Sequence, residues 1–207
     1  MNERAQGKAE TRAKLLAAAL DHAAERSLAA ISLREITREA GVVPGAFYRH
    51  FASVEELGLA LVDDAFGALR EIVRGARTPS GSGLSGRETA EIVLRYVRER
   101  RGHLRFVARE RFGGVPAVRA AIARELDLFA AELALDLGRG PVLGRWAAED
   151  VRLVADLVMT VMVRAVEESL DAPAGDLAAE ERTIARTERQ LLLIGVGARG
   201  LSRVPAS

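Results

Sequence analysis

The segment from Ser32 to Phe51 has side chains whose types and spacing fit a regular, charged partner. Ser32 and Glu35 form an S-x-x-E capping box, which predicts the start of a helix. Gly41 predicts its end in a positive-φ turn, and Pro44 suits the first position of a second, short helix. Two helices joined in this way form a helix-turn-helix, a module that binds the major groove of duplex DNA. The chemistry predicted is hydrogen bonding and ion pairing to phosphates and base edges.

Individual roles follow from the positions of the side chains on these two helices. Phe47 and Phe51 would anchor the second helix, while the basic and aromatic residues between them reach outward to phosphates. The N-terminal tip of that helix would approach base edges, and Lys8, with Arg4 and Arg12, would lie along the backbone or enter the minor groove. Each charge could also be an ordinary surface group. The candidate DNA-binding residues are Arg34, Arg38, Pro44, Gly45, Ala46, Tyr48, Arg49, His50 and Lys8.

Apolar residues recur at helical spacing along nearly the whole chain, which predicts an all-α fold. Glycines at 102 and at 113–114 are expected to break helices, and the Gly-, Ser- and Pro-rich stretch 78–87 is expected to be a loop. No segment alternates apolar and polar residues as a strand would. The predicted helices cover residues 9–26, 32–40, 44–51, 53–77, 88–101, 104–112, 115–137, 146–170 and 178–199.

Composition narrows the class of protein. Of 207 residues, 49% are hydrophobic and 29% are charged, as in a globular protein. The 30 basic and 29 acidic residues give no bulk charge that would itself indicate nucleic acid, and the absence of cysteine excludes disulfides and thiolate metal sites. No hydrophobic run is long enough for a signal peptide or membrane span, so a soluble cytoplasmic protein is expected.

An enzyme is not expected. Residues 81–86 fit G-x-G-x-x-G, but no predicted strand precedes them, so the glycines do not form a dinucleotide-binding site. The three histidines are far apart in sequence, and no metal-binding or phosphate-loop motif is present. We therefore expect no cofactor and no metal.

Three segments, 32–35, 39–42 and 47–51, together resemble the DNA-binding domain of the tetracycline-repressor (TetR) family. The resemblance implies a three-helix reader over residues 1–52, a roughly six-helix ligand-binding and dimerisation domain over 53–199, and a tail at 200–207. Val43 departs from the family pattern because it replaces a hydroxyl cap. Gly45 and Ala46 replace an expected Thr-Ser pair at the tip of the second helix, which leaves the operator sequence open.

A closer resemblance is to the FabR/DesT type of fatty-acid-synthesis repressor. It rests on segments 4–8, 25–27, 54–63, 109–113 and 119–125. It implies a repressor of unsaturated fatty-acid genes that senses long-chain acyl thioesters of coenzyme A or acyl carrier protein. The alternative is a TetR-type repressor of another pathway, efflux or lipid catabolism, that senses a different hydrophobic ligand.

An arginine-rich stretch, 95–111, could hold the phosphates of coenzyme A beside an apolar slot for the acyl chain. The alternative is a charged surface over a plain core, with buried arginines paired to Glu110 and Glu125. The candidate ligand-binding residues are Phe66, Leu69, Val97, Arg105, Phe106, Arg109, Arg111, Phe129 and Met162.

The last two predicted helices are apolar on more than one side, which indicates burial on more than one side. One interpretation is a core helix in a monomer. The other is a four-helix interface in a homodimer, which suits a protein that reads two DNA half-sites. The candidate dimerisation residues are Val151, Val154, Val158, Leu191, Gly195 and Ala198.

Overall fold

The computed structural model describes residues 3–76 and 85–201, and this part of the chain consists of helices and connecting turns without a strand. The all-α fold class is therefore confirmed. A short 3-10 helix, Leu28–Ala30, lies between the first two α-helices. The α-helices are α1 Glu3–Ala23, α2 Leu33–Glu39, α3 Pro44–Phe47, α4 Val54–Ala76, α5 Gly86–Glu99, α6 Arg101–Glu110, α7 Pro116–Gly138, α8 Ala148–Asp171 and α9 Leu177–Leu201.

Two of the expected helix breaks have different outcomes. The break at Gly113 and Gly114 is confirmed, because α6 ends at Glu110 and α7 begins at Pro116. The break at Gly102 is wrong, because the chain turns at Arg100 and Gly102 lies in the first turn of α6. Glycine can adopt helical dihedrals, and at a helix start it replaces no packed side chain. Most of the expected loop 78–87 lies outside the described residues.

Side-chain caps fix the starts of α4 and α5. The Glu56 amide donates to Ser53 Oγ at 3.1 Å, while the Glu56 carboxylate accepts from the Ala52 amide. At α5 the Glu88 amide donates to Ser85 Oγ at 3.2 Å, and the Ser85 amide donates back to Glu88 Oε2 at 2.7 Å. The second pair is a capping box that the S-x-x-E spacing would have allowed us to predict.

The helices form two compact units, of which the first comprises Met1–Leu69 and Arg100–Ala123. Within it α1 packs against α2 and α6, and α2 packs against α3. Gly58 on α4 allows a close approach, because a Cβ there would lie 2.9 Å from a methyl group of Val118. Residues with no exposed surface form the core: Leu15, Ile36, Phe47, Leu57, Leu61, Phe106, Val118 and Ile122.

The second unit comprises Arg70–Glu99 and Arg124–Ser207, in which α5, α8 and α9 pack together. One core cluster joins Ala90 and Leu94 of α5 to Ala165 and Ile184 of the other two helices. Ion pairs reinforce the contact of α5 with α9, because the Arg87 guanidinium reaches Glu181 and Glu188. Within the described ranges, no helix combines the length and apolarity needed to cross a membrane.

The boundary expected between residues 52 and 53 does not coincide with this division, since α4 begins in the first unit and α6 belongs to it. The predicted domain boundary between residues 52 and 53 stays a prediction, because a division by contacts does not test which segments fold separately.

Candidate nucleic-acid interface

The first helix of the helix-turn-helix, α2, begins with the expected capping box. Glu35 N donates to Ser32 Oγ at 3.3 Å, and the Ser32 amide donates to Glu35 Oε2 at 2.8 Å. Arg26 adds a bond of 2.6 Å from its guanidinium to Glu35 Oε1. Glu35 accepts hydrogen bonds from the Ser32 amide, the Ser32 hydroxyl and the Arg26 guanidinium. These bonds lower the pKa of Glu35 from 4.5 to about 2. Glu35 therefore stays charged and holds the start of α2.

The turn after α2 depends on one glycine. Gly41 has φ of +66°, and the Val42 amide donates to the Thr37 carbonyl at 2.9 Å, so the chain leaves the helix by a left-handed turn. Pro44 then takes the first position of α3, as predicted. Val43 caps α3 without a side-chain hydrogen bond, so the departure from the usual hydroxyl cap leaves that helix end without a side-chain acceptor.

The second helix was predicted to reach residue 51 but ends at Phe47, so its anchoring residues lie on α3 and just after the turn that follows it. Phe47 and Phe51 are buried, as expected, with ring centroids 5.7 Å apart. The Arg12 guanidinium of α1 lies 5.2 Å from the centroid of Phe51 and links α1 to the end of α3. Ala46 was predicted to approach base edges, and this is wrong for its side chain because only 5% of the residue's surface is exposed. Its methyl group is therefore buried in the protein and is not available to a base edge.

The outward side of α3 presents the groups that could contact DNA. Tyr48 is 63% exposed, and its ring stands edge-on to Phe47 with centroids 5.7 Å apart, which holds the phenol away from the core. Gly45 and Pro44 are exposed at the tip of α3. Val43 is also exposed, and it was not among the predicted contacts although it immediately precedes that tip. The exposed basic residues on the same module are Arg34, Arg38 and Arg49.

An open cleft of about 560 Å³ lies between α1 and the end of α3, lined by Gly7, Lys8, Thr11, Arg49 and His50. It brings together three of the predicted DNA-binding residues. His50 is only half-buried, and its Nδ1 is buried without a hydrogen-bond partner in the described part of the chain. Burial, followed by the positive charges of Lys8, Arg49 and Arg12, lowers the pKa of His50 below its usual 6.5.

The last turn of α6 is bonded to the chain that leaves α1. The Arg109 guanidinium donates to the carbonyls of Glu25 at 2.7 Å and Ala24 at 2.9 Å. The fully buried Glu110 accepts the Leu28 amide at 2.9 Å through Oε1. Arg109 and Glu110 thus bond two backbone carbonyls and one backbone amide of the segment that connects α1 to α2. Arg109 was predicted to hold an anionic ligand, and two of its N–H groups are bonded to backbone carbonyls in this structure.

The other predicted ligand-binding residues are divided between the two units. In the first unit Phe66 and Phe106 are buried, Leu69 is half-buried and Arg105 is exposed. The Arg111 guanidinium of the same unit lies 4.8 Å from the centroid of the Phe112 ring. In the second unit Val97 and Met162 are buried and Phe129 is half-buried.

The alternative of buried arginines paired with Glu110 and Glu125 is not met, because the partner of Glu125 is the half-buried Arg70, which lies outside the stretch 95–111. Glu110 accepts a backbone amide, and its Oε2 has no partner among the described residues. Neither finding tests the ligand assignment, which stays a prediction.

Of the six predicted dimerisation residues on α8 and α9, two are buried in the protomer and four, Val154, Val158, Leu191 and Gly195, are half-buried. Val151 and Ala198 are buried with Leu143 in the protomer's own second cluster, because their helical positions face α7 and the following loop. Besides Leu177 at the start of α9, the exposed large apolar residues of these helices are Leu153, Leu157, Leu192, Leu193 and Val196. Their spacing could have revealed this face, which we call the α8–α9 apolar face.

Comparisons with known proteins agree with this architecture. The family model described as bacterial regulatory proteins, tetR family, matches residues 15–61, which contain α2 and α3. A transcriptional regulator from Rhodococcus sp. Rha1 is 22% identical, with 94% of this chain and 99% of that chain covered and a TM-score of 0.65.

Two further structures have the same fold. The transcriptional regulator FadR from Bacillus subtilis in complex with stearoyl-CoA is 17% identical, with 87% of this chain and 96% of that chain covered and a TM-score of 0.63. A gamma-butyrolactone receptor, an ArpA-like protein, is 25% identical, with 89% and 99% covered and a TM-score of 0.60. The tetR family model thus matches over the helix-turn-helix, and the fold is shared with these regulators over most of the chain.

Proposed function

We propose that the protein is a ligand-responsive transcriptional repressor that binds a palindromic operator as a two-fold dimer. The observation that carries the proposal is the helix-turn-helix, in which Phe47 and Phe51 are buried while Tyr48 and Gly45 remain exposed. This arrangement holds a rigid helix whose outer side is free to enter the major groove. The tetR family model over the same residues supports the assignment.

Selecting bound duplexes from a pool of random sequences tests whether the protein recognises specific DNA, and it requires no knowledge of the operator sequence. We expect the wild-type protein to enrich a palindrome with half-sites about one helical turn, roughly 34–36 Å, apart. Tyr48→Ala should reduce the enrichment, while Arg95→Ala, an exposed arginine on α5, should leave it unchanged. If the duplexes recovered with the wild-type protein remain random in sequence, an operator-binding function is excluded.

Dimerisation is proposed to bury the α8–α9 apolar face against a second copy of the chain. The face has five exposed apolar side chains on two adjacent helices of one unit. Burying each would contribute about 1.5–3 kcal/mol before the costs of association. A second copy is the occupant proposed because a two-fold dimer places two helix-turn-helix modules on the two halves of a palindrome.

We propose a long-chain acyl thioester as the effector and fatty-acid synthesis genes as the target. Support comes from the arginines of α5 and α6, which suit the phosphates of coenzyme A, and from the similar fold that contains stearoyl-CoA. Another hydrophobic effector, with a target in efflux or lipid catabolism, is the alternative, since the same fold also occurs in a gamma-butyrolactone receptor.

Operator binding in the presence of stearoyl-CoA, oleoyl-CoA, coenzyme A alone or a gamma-butyrolactone separates these possibilities. An acyl-CoA that alters operator affinity must itself bind with an affinity altered by the same factor when operator is present. Arg105→Gln is the appropriate variant, because Arg109 is bonded to the backbone before α2. Equal operator affinity with and without either acyl-CoA would exclude the acyl-thioester effector, while a response to the butyrolactone would favour the alternative.

A further inference from the structure

We propose that the cleft between α1 and the end of α3 binds one backbone phosphate of duplex DNA, and that His50 takes up a proton when the phosphate enters. The proposal rests on the DNA-binding function proposed above and adds to it a specific contact and its dependence on pH. The groups that carry it are Lys8, Arg49 and His50, which line the same cleft.

Contacts within and beside the cleft hold it in shape. Phe51 follows His50 directly, is buried, and lies under the Arg12 guanidinium, so the end of α3 is fixed against α1. The Thr11 hydroxyl donates to the Gly7 carbonyl at 2.9 Å, which keeps this side of the cleft in regular helical geometry. A Cβ placed on Gly7 would meet no described atom within 4 Å, so the space beside it is open to a ligand.

The chemistry of the lining suits a phosphodiester. Lys8 supplies a compact positive charge and Arg49 a planar guanidinium, both of which are common phosphate ligands. Neither is matched by a carboxylate among the groups that act on His50, which are Lys8, Arg12 and Arg49. His50 Nδ1 is buried without a hydrogen-bond partner among the described residues, so no described acceptor stabilises a protonated ring. A phosphate in the cleft would supply the missing negative charge beside the imidazole.

The direction of the pH effect follows from the same contacts. Without DNA, burial and the cations at residues 8, 49 and 12 lower the pKa of His50 below its usual 6.5, which favours the neutral ring. A phosphate in the cleft offsets those charges and favours the imidazolium, which raises the pKa in the complex. DNA affinity should therefore increase as the pH falls from the pKa of the complex to that of the free protein, by about tenfold for each unit that separates them.

Duplex DNA of arbitrary sequence is a sufficient probe, because phosphate contacts do not depend on base sequence. Binding of the full chain would be measured by fluorescence anisotropy from about pH 5.5 to about pH 8.5 at constant ionic strength, a range that spans ordinary histidine titration. We expect the affinity of the wild type to rise as the pH falls and that of His50→Gln to lose this dependence. His22→Gln is the matched control, since it removes a histidine of α1 that does not line the cleft.

Two further measurements use other readouts. Histidine resonances in the wild-type protein should show that the pKa of His50 rises on addition of duplex, which needs no variant to fold. Lys8→Gln should reduce the slope of log affinity against log salt by about 0.9, as expected for the loss of one phosphate contact.

The possible failures are distinguishable. An affinity independent of pH, an equal pH dependence in His50→Gln, or a His50 pKa that does not change on DNA binding would each overturn the cleft proposal while leaving the repressor function standing. Absence of binding to every duplex at low salt would overturn the proposed function and the cleft proposal with it.

Discussion

Phe47 and Tyr48 are neighbours in sequence, yet one is buried in the first unit and the other is exposed to solvent. The four-residue helix α3 fixes this division, since successive side chains on a helix point about a quarter-turn or more apart. The aromatic pair could be assigned correctly from the sequence because both neighbouring positions carry large rings with different polarity. Ala46 could not, because a methyl group is compatible with either side of so short a helix.

Removing the Tyr48 hydroxyl tests its proposed phosphate contact. In Tyr48→Phe we expect operator binding to weaken by about 1.5–3 kcal/mol, the range for a hydrogen bond to a charged group. The free energy of unfolding should not change, because the phenol is exposed. Phe47→Ala should instead lower that free energy by about 3–5 kcal/mol through loss of core packing. Unchanged operator affinity in Tyr48→Phe, measured by anisotropy, would remove this contact from the interface.

Glu35 makes the stability of the helix-turn-helix depend on pH in the acidic range. Its folded-state pKa of about 2 lies below the ordinary 4.5, so its contribution is present above about pH 4.5 and is lost as the pH falls towards 2. Glu35→Gln should therefore melt at a lower temperature than the wild type near pH 7, and the difference should shrink below pH 4.5 as the wild-type carboxylate is protonated. Glu39→Gln, on the exposed side of the same helix, is the control. A difference in melting temperature that is the same at pH 7 and pH 3 would contradict this role of the carboxylate.

At the scale of elements, the joint between α6 and the chain before α2 was not predictable from the sequence. The bond from the Leu28 amide to Glu110 spans 82 residues, so no local spacing indicates it. Helix starts were more accessible, because capping boxes such as Ser32 with Glu35 lie within four residues. Helix breaks were partly predictable from the sequence. A glycine marks a break only where its surroundings do not favour a continued helix, and Gly102 lies inside α6.

Gly113 tests how closely the turn after α6 fits Glu110. A Cβ at this position would overlap the Glu110 carboxylate and lie 2.7 Å from its Cδ. We expect Gly113→Ala to lower the free energy of unfolding by about 1–3 kcal/mol, as overpacking does elsewhere. Gly102→Ala, at the start of the same helix, meets no described atom within 4 Å and should be neutral or stabilising by up to about 1 kcal/mol. Equal stability of the two variants in denaturant unfolding would show that the turn can relax around the carboxylate.

In the whole molecule, the sequence predicted a helix-turn-helix followed by further helices, but two of its six candidate dimerisation residues, Val151 and Ala198, are buried within the protomer. Val151 and Ala198 share the periodic apolar pattern of α8 and α9 with the exposed leucines. Periodicity alone does not distinguish a helix side that packs on its own protomer from one that remains open. The structure makes that distinction, because it shows which apolar residues are already buried.

Charge introduced on the α8–α9 apolar face should prevent dimerisation. Leu193 is 65% exposed in the protomer, so Leu193→Arg should leave the monomer folded while placing an unpaired charge in the proposed interface. Sedimentation should then show a monomer where the wild type shows a dimer. Leu177→Arg is the control, because this residue is similarly exposed but lies 16 residues earlier on α9, roughly 24 Å away. A wild type that sediments as a monomer would refute the proposed interface directly.

Two copies of the helix-turn-helix are proposed to bind the two halves of one palindrome. The most direct measurement is the affinity and stoichiometry of the wild type on the selected palindrome and on a scrambled duplex of equal length, at one salt concentration. We predict two protomers per palindrome and an affinity roughly 10³-fold or more above that for the scrambled duplex, the lower end for specific DNA-binding proteins. Equal affinity for the two duplexes would contradict the claim.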